Sequence, residues 1–185
     1  MKKLVPGSLL IAPPSMMDGR FGKTVLLLTH HNKDGSYAIC LNRPTNRTLV
    51  DIGRELKLDA SLPFTMHWGG PVQQGSIWMV HTPDWSIEET MTVTDEYMIT
   101  SNEKMFHHLA DGDVPREFRV AFGFSSWAPG QLDMEMNGIP PFKKQSSWLV
   151  LNNPDPEWLW SLPIDDLWEA AVFKAGEEAV NAWLP

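Results

Sequence analysis

The chain has a single cysteine, Cys40, in 185 residues. That excludes an intramolecular disulfide and any cysteine-built metal centre, and it fits a reducing compartment. Long apolar runs are missing too. The opening MKKLVPGSLLIAPP carries two lysines and an apolar patch, but Pro6, Gly7, Pro13 and Pro14 interrupt it too early for a signal-peptide core. No stretch approaches the roughly 20 apolar residues that a membrane-spanning helix needs. Positive charge is also scarce: 15 Lys+Arg stand against 23 Asp+Glu, a formal charge of −8 with no Lys/Arg cluster. The summed field repels phosphate backbones and anionic membranes, which argues against direct nucleic-acid binding. There is no G-x-G-x-x-G, Walker loop, H-E-x-x-H, C-x-x-C or EF-hand loop, so the common nucleotide and metal chemistries have no motif here. These absences lead us to expect a cytoplasmic chain without cofactor, metal or membrane contact.

What is present is an ordinary core-forming composition, 43% hydrophobic, with no repeat and no low-complexity segment. Residues 1–185 are read as one domain. Apolar runs of strand length fall at 8–12, 24–30, 37–41, 64–68, 77–81, 91–93, 97–99, 119–124 and 148–151, mostly separated by turn residues. Helices are marked more sparsely. Leu49, Ile52 and Leu56 share one face after Thr48, and Thr100-Ser101-Asn102-Glu103 has the form of a capping box ahead of Met105, Phe106 and Leu109. Gly112 ends that helix, Asp155-Pro156 opens another, and Asp165 begins one expected to end near Gly176. Strands with irregularly interspersed helices predict an α+β fold.

The most unusual stretch is SSWAPGQLDMEM, residues 125–136. Gly123-Phe124-Ser125-Ser126-Trp127 sits where a nucleophile elbow would stand, between strand and helix. Trp127 replaces the second glycine that lets such an elbow turn. Ser125 and Ser126 are accordingly read as loop residues that satisfy backbone groups, and no catalytic residue is assigned. A hydrolase or transferase using a loop serine is the alternative. Pro129 suits the first helical position, which makes Ala128 the cap and leaves the amides of Gly130 and Gln131 in need of an acceptor. An internal group or an anionic ligand would serve. Just upstream, Val120, Phe122 and Phe124 alternate with Ala121 and Gly123, so a second backbone layer is expected on the bare side.

His67-Trp68-Gly69-Gly70-Pro71-Val72 is the second notable segment. Its paired glycines allow close backbone approach, although a hairpin or bulge needs nothing more. The six histidines lack ligand spacing, so a metal site would require His30, His67 or His81 to converge. Asp133 and Glu135 point to different faces and form no carboxylate pair. Trp148, Trp158, Trp160, Trp168 and Trp183 crowd the C-terminal third and are read as aromatic core.

Five blocks in fixed order, GSLLIAPPSMMDGRF with its Met-x-Asp-x-x-Phe pattern, LNRP at Leu41–Pro44, WGGPV at Trp68–Val72, the strand ending at His81, and GFSSWAPGQLDMEM, resemble the AlgH-like (YqgE-like) family of small bacterial proteins. The resemblance covers nearly the whole chain. Two places depart from it: Ser36-Tyr37-Ala38-Ile39-Cys40 replaces a glycine-containing turn, and Ser126 stands where a small residue is common. The resemblance implies a bifurcated, partly barrel-like β-sheet surrounded by helices. It implies no established activity, and the family's label of transcriptional regulator is not a demonstrated mechanism. The expectation is a non-enzymatic regulatory or binding protein for a small anionic ligand or a protein partner. Its candidate ligand-binding residues are Gly69, Gly70, Pro71, Trp127, Gly130 and Gln131.

Overall fold

The computed structural model describes residues 3–56, 64–142 and 148–181. Its strands are β1 (Leu9–Ile11), β2 (Val25–Asn32), β3 (Gly35–Cys40), β4 (Pro44–Thr48), β5 (Thr65–Trp68), β6 (Val72–His81), β7 (Met91–Thr92), β8 (Met98–Thr100), β9 (Phe118–Trp127) and β10 (Leu149–Leu151). Its helices are α1 (Leu49–Leu56), α2 (Met105–Ala110), α3 (Gln131–Asn137), α4 (Pro156–Ser161) and α5 (Leu167–Asn181). The sheet runs β10-β1-β2-β3-β9-β6-β8-β7 and curls into a half-barrel, with β4 on β5 and β5 on β9. The fold is α+β, as expected.

Strand β9 is where the sheet forks. Met66, His67 and Trp68 of β5 pair in parallel with Val120, Ala121 and Phe122, whereas Ser36, Tyr37 and Ala38 of β3 pair antiparallel with Trp127, Ser126 and Ser125. One strand thus serves β5 at its start and β3 at its end, with β6 along its other edge. The break falls at Gly123, whose φ of 68° is open to glycine at little cost. Opposite it, β6 bulges: Val72 faces Phe124 and Ile77 faces Phe122, so residues 73–76 stand against Gly123 alone. The phase shift carries Phe124 to the face opposite Phe122 and Val120. The expected single stripe of Val120, Phe122 and Phe124 is therefore divided between two cores.

The close approach predicted beside Ala121 and Gly123 is made by the glycine pair. Gly69 donates its amide to Phe122 O at 2.7 Å and accepts from Cys40 N at 2.9 Å. A Cβ on Gly69 would lie on the Gly123 carbonyl, and one on Gly70 on the Phe124 carbonyl. Backbone against backbone is the reason for glycine here.

Three clusters of buried side chains hold the layers. β1 is apolar on both faces: Leu9 and Ile11 join Leu27, Ile39 and Leu41 beneath Leu159 of α4 and Leu167 and Ala171 of α5. Leu10 and Leu26 join Ala38 and Cys40 on the reverse, covered by Trp127, Leu132 of α3 and Trp148. Leu49 and Ile52 of α1, with Met105, Phe106 and Leu109 of α2, close on Met66, Met79 and Val120. Each such leucine contributes about 2 kcal/mol by leaving water.

Several local expectations change. β4, PTNRT, pairs with β5 although it has no apolar alternation. Thr100 is the last residue of β8, and its hydroxyl bonds His81 Nε2 and Thr90 Oγ1, so the capping box does not form; Asn102 Oδ1 instead accepts from Lys104 N at 2.9 Å. α5 passes through Gly176 to Asn181. By contrast Asp155 caps α4 as read, accepting from Glu157 N at 3.0 Å. Trp158, Trp160 and Trp168 pack on the core under α4 and α5. Trp183 and residues 143–147 of the Pro/Gly stretch lie outside the described residues. Among the described residues no helix is long and apolar enough to cross a membrane.

Candidate functional site

The start of α3 supplies an internal acceptor for one of the two amides in question, that of Gln131. Gln131 N donates to Ala128 O at 2.9 Å, and Gln131 Oε1 accepts from Ala128 N at 3.0 Å. The cap is Gly130, not Ala128, at φ 72° and ψ −6°. Ala128-Pro129-Gly130-Gln131 is thus a tight turn with proline second and a left-handed glycine third, the residue order that a type II turn demands. Ser125 and Ser126 stand on β9 and not in a loop. Ser126 is exposed, while Ser125 is only 2% exposed and its Oγ has no hydrogen-bond partner.

Trp127, the last residue of β9, donates its indole N–H to Glu135 Oε2 at 2.9 Å, and Trp148 donates to the same oxygen at 3.2 Å. Gln131 Nε2 donates to Glu135 Oε1 at 3.0 Å, one helical turn away. Glu135 is thus fixed by three N–H donors from two sides. Asp133 points elsewhere, toward His31 Nε2 at 3.8 Å, as the two-residue spacing implies.

The opposite wall comes from the turn after β1. Asp18 takes Arg20 in a fork, Nε to Oδ1 at 3.1 Å and Nη2 to Oδ2 at 2.7 Å, and its carbonyl accepts the amides of Phe21 and Gly22. The hydrogen bond from Arg20 holds the Asp18 carboxyl below the usual carboxylate range. Arg43, from LNRP, clasps this turn through the carbonyls of Arg20 and Gly22, and its guanidinium lies 5.1 Å over Trp68. Asn42 binds Val25 N and Lys23 O. Phe21 then meets Trp68 and Trp148 edge-on at 5.9 and 5.5 Å.

Between these walls is a cavity of about 430 Å³, lined by Asp18, Arg20 and Phe21 on one side and by Ser125, Trp127, Gln131, Glu135 and Trp148 on the other, with Met16, Pro71, Ser126 and Phe142. Of the six residues singled out from the sequence, Pro71, Trp127 and Gln131 meet at this cavity. Gly69 and Gly70 do not line it; they press on the backbone of β9 behind it. Gly130 forms the turn and also stays outside the lining. Asp18, Arg20, Phe21, Glu135 and Trp148 line the cavity without being among those six. For Asp18 and Phe21 the available signal was the Met-x-Asp-x-x-Phe pattern, in which Arg20 occupies an unspecified position. For Trp148 there was none, because only folding carries it to Trp127.

No histidine is among the described lining residues, so neither serine has an imidazole base beside it. His67 bonds Val120 O, His81 bonds Thr82 O and Thr100 Oγ1, and His30 packs on Tyr37. Among the described residues no three His, Cys, Asp or Glu side chains converge to hold a metal.

Known proteins are similar to this chain in sequence or in fold. A UPF0301 protein of Vibrio atlanticus is 30% identical over 180 residues, 93% of this chain and 92% of the relative. One from Nitrosospira multiformis is 30% identical over 167 residues, covering 88% and 86%. The solution structure of the AlgH protein from Pseudomonas aeruginosa is 29% identical with a TM-score of 0.74, covering 95% of this chain and 93% of that one. A crystal structure from Corynebacterium diphtheriae, 19% identical with a TM-score of 0.72, covers 94% and 88% and shares the fold. Residues 9–180, from β1 into α5, match the AlgH-like family profile, and the chain belongs to that family.

Proposed function

We propose that this is a non-enzymatic binding protein whose ligand enters the cavity between the Asp18–Phe21 turn and the β9–α3 junction. One observation carries the reading: three separated blocks of the sequence, 16–21, 71 and 125–135, together with Trp148, supply the lining of one cavity. Ser125, one of the lining residues, carries a buried hydroxyl without a partner among the described residues. Unsatisfied buried polar atoms are rare in native structures, and one on a residue that lines a preformed aromatic cleft favours a ligand group as its partner.

The ligand's chemistry follows from the lining. The expected anion relied on free amides at the helix start, and Ala128 O takes the Gln131 amide. The described lining side chains include two carboxylates, Asp18 and Glu135, against one guanidinium already held by Asp18. Flat walls from Trp127, Phe21 and Trp148 complete a site for a small planar molecule with N–H or O–H donors, neutral or cationic. A net charge of −8 fits such a ligand better than nucleic acid. The buried free thiol of Cys40 supports a cytoplasmic setting.

The test is a screen of metabolite pools against uniformly 15N-labelled protein, watching the indole N–H resonances of Trp127 and Trp148. A binder is expected to move both together and saturably, and to weaken in Ser125→Val and Gln131→Ala. Pools that leave both indoles unmoved, or a binder indifferent to both substitutions, would overturn the reading.

A further inference from the structure

A second cavity, of about 450 Å³, lies on the far arm of the fork between β5, the start of β9 and the segment joining α4 to α5. Three of its lining residues are unusual together. Arg119 is only 8% exposed, its guanidinium donates to Leu41 O at a long 3.4 Å, and it has no carboxylate within ion-pair distance among the described residues. Its guanidinium is 5.3 Å from the ring centre of Trp160. The Trp160 indole nitrogen is itself buried and unpaired, and so is Nε2 of His67, a residue 3% exposed. These are two of the three such side-chain atoms among the described residues, the third being Ser125 Oγ in the other cavity.

A desolvated arginine normally has a carboxylate beside it, since an uncompensated buried charge is costly. Exposed Glu117 is the one carboxylate in the lining and does not reach it. We propose that this cavity is an oxyanion site, taking a carboxylate or a phosphate through the Arg119 guanidinium and the Trp160 indole N–H. Planar guanidinium donors match two oxygens of such a group, and an indole nitrogen can only donate. His67 supplies the complement. Its Nδ1 lies 3.3 Å from Val120 O and must carry the proton to donate there, which leaves Nε2 as an acceptor. A singly protonated phosphate presents both kinds of group, an O–H for His67 and charged oxygens for Arg119 and Trp160. A carboxylate satisfies the latter two.

The probes are inorganic phosphate and acetate, each compared with chloride at matched ionic strength. We expect the Trp160 indole N–H resonance to shift downfield saturably with at least one of them, with a parallel rise in Tm. Phosphate alone marks a phosphate site, and acetate alone or both marks a carboxylate-tolerant one. Trp160→Phe keeps the ring surface and removes one charge-assisted bond, so affinity should fall about tenfold. Arg119→Met should abolish the response, and Trp160→Phe provides the same decision if that variant fails to fold. No saturable shift up to about 20 mM, beyond the weak end of specific affinity, would overturn the site. Undiminished affinity in Trp160→Phe would do so too.

Discussion

The indole N–H of Trp127 meets Glu135 Oε2 at 2.9 Å, joining the end of β9 to the second turn of α3. Trp148 reaches the same oxygen from the strand end of β10, and Gln131 holds the other one. A short helix of seven residues, below the length at which helices stand alone, is thereby fastened to the sheet by a polar clasp.

Removing the clasp should therefore loosen a whole junction. Glu135→Ala strips the acceptor from two indoles and one amide, and we expect a loss of about 2–3 kcal/mol, since partly buried donors are left unpaired. Urea unfolding measures it. Near-UV circular dichroism should change as well, because Trp127 and Trp148 lie edge to face at 6.2 Å and lose their common anchor.

The glycines of WGGPV can be tested against a neighbour. Gly69→Ala and Gly70→Ala each put a methyl group on β9 backbone that cannot move aside, and each should cost more than about 4 kcal/mol or abolish soluble expression. Gly75→Ala, a few residues on in the β6 bulge, meets nothing within 4 Å and should stay within about 0.5 kcal/mol. Thermal melts of the three variants make the comparison.

The same glycines show what could be read in the chain and what could not. Nine strands announced themselves through apolar runs, because β1, β2 and β3 are buried on one or both faces and must be apolar. β4 did not, because a polar strand paired only with β5 carries no hydrophobic pattern. Thr100 imitated a capping residue because a hydroxyl beside a carboxylate three residues on looks alike whether the hydroxyl faces a helix or a histidine. The bare side of Ala121 and Gly123 correctly foretold a backbone layer. Which backbone it was depended on strand pairing far along the chain. The cavity is legible only in part for the same reason: Trp127, Pro71, Gln131 and Asp18 sit in marked motifs, but that Asp18 and Trp148 come to the same cavity depends on the β1, β2 and β10 register.

Cys40 should be chemically silent. Burial pushes its thiol up to about 11, and the thiolate is the reactive form. Native protein at pH 8 should leave a disulfide reagent unreduced over a time in which urea-unfolded protein reacts fully. A rapid native reaction would mean that the β2–β3 pairing around Cys40 opens far more readily than its burial implies.

His67 sets the acid side of the stability profile. Burial, reinforced by the nearby Arg119, holds its imidazole down to about 4, against about 6.5 in an unfolded chain. Between those values the unfolded state binds a proton that the folded state refuses, so stability is fullest above the upper value and falls as pH drops toward the lower one. The contribution of this one residue is ~3 kcal/mol across that window. Burial lowers His81 as well, so some slope should remain when His67 is removed. The carboxylates Asp18, Asp51, Asp84 and Glu88 are all lowered and begin to lose their contributions only as pH falls below about 5, which leaves the upper part of the window to the histidines. Urea midpoints taken from pH 7 to pH 4.5, in chloride without phosphate or carboxylate buffer, should decline steeply in the natural protein and more gently in His67→Leu. Equal slopes would show that His67 is protonated in the fold and that its imidazole is not the acid-sensitive element beside Arg119.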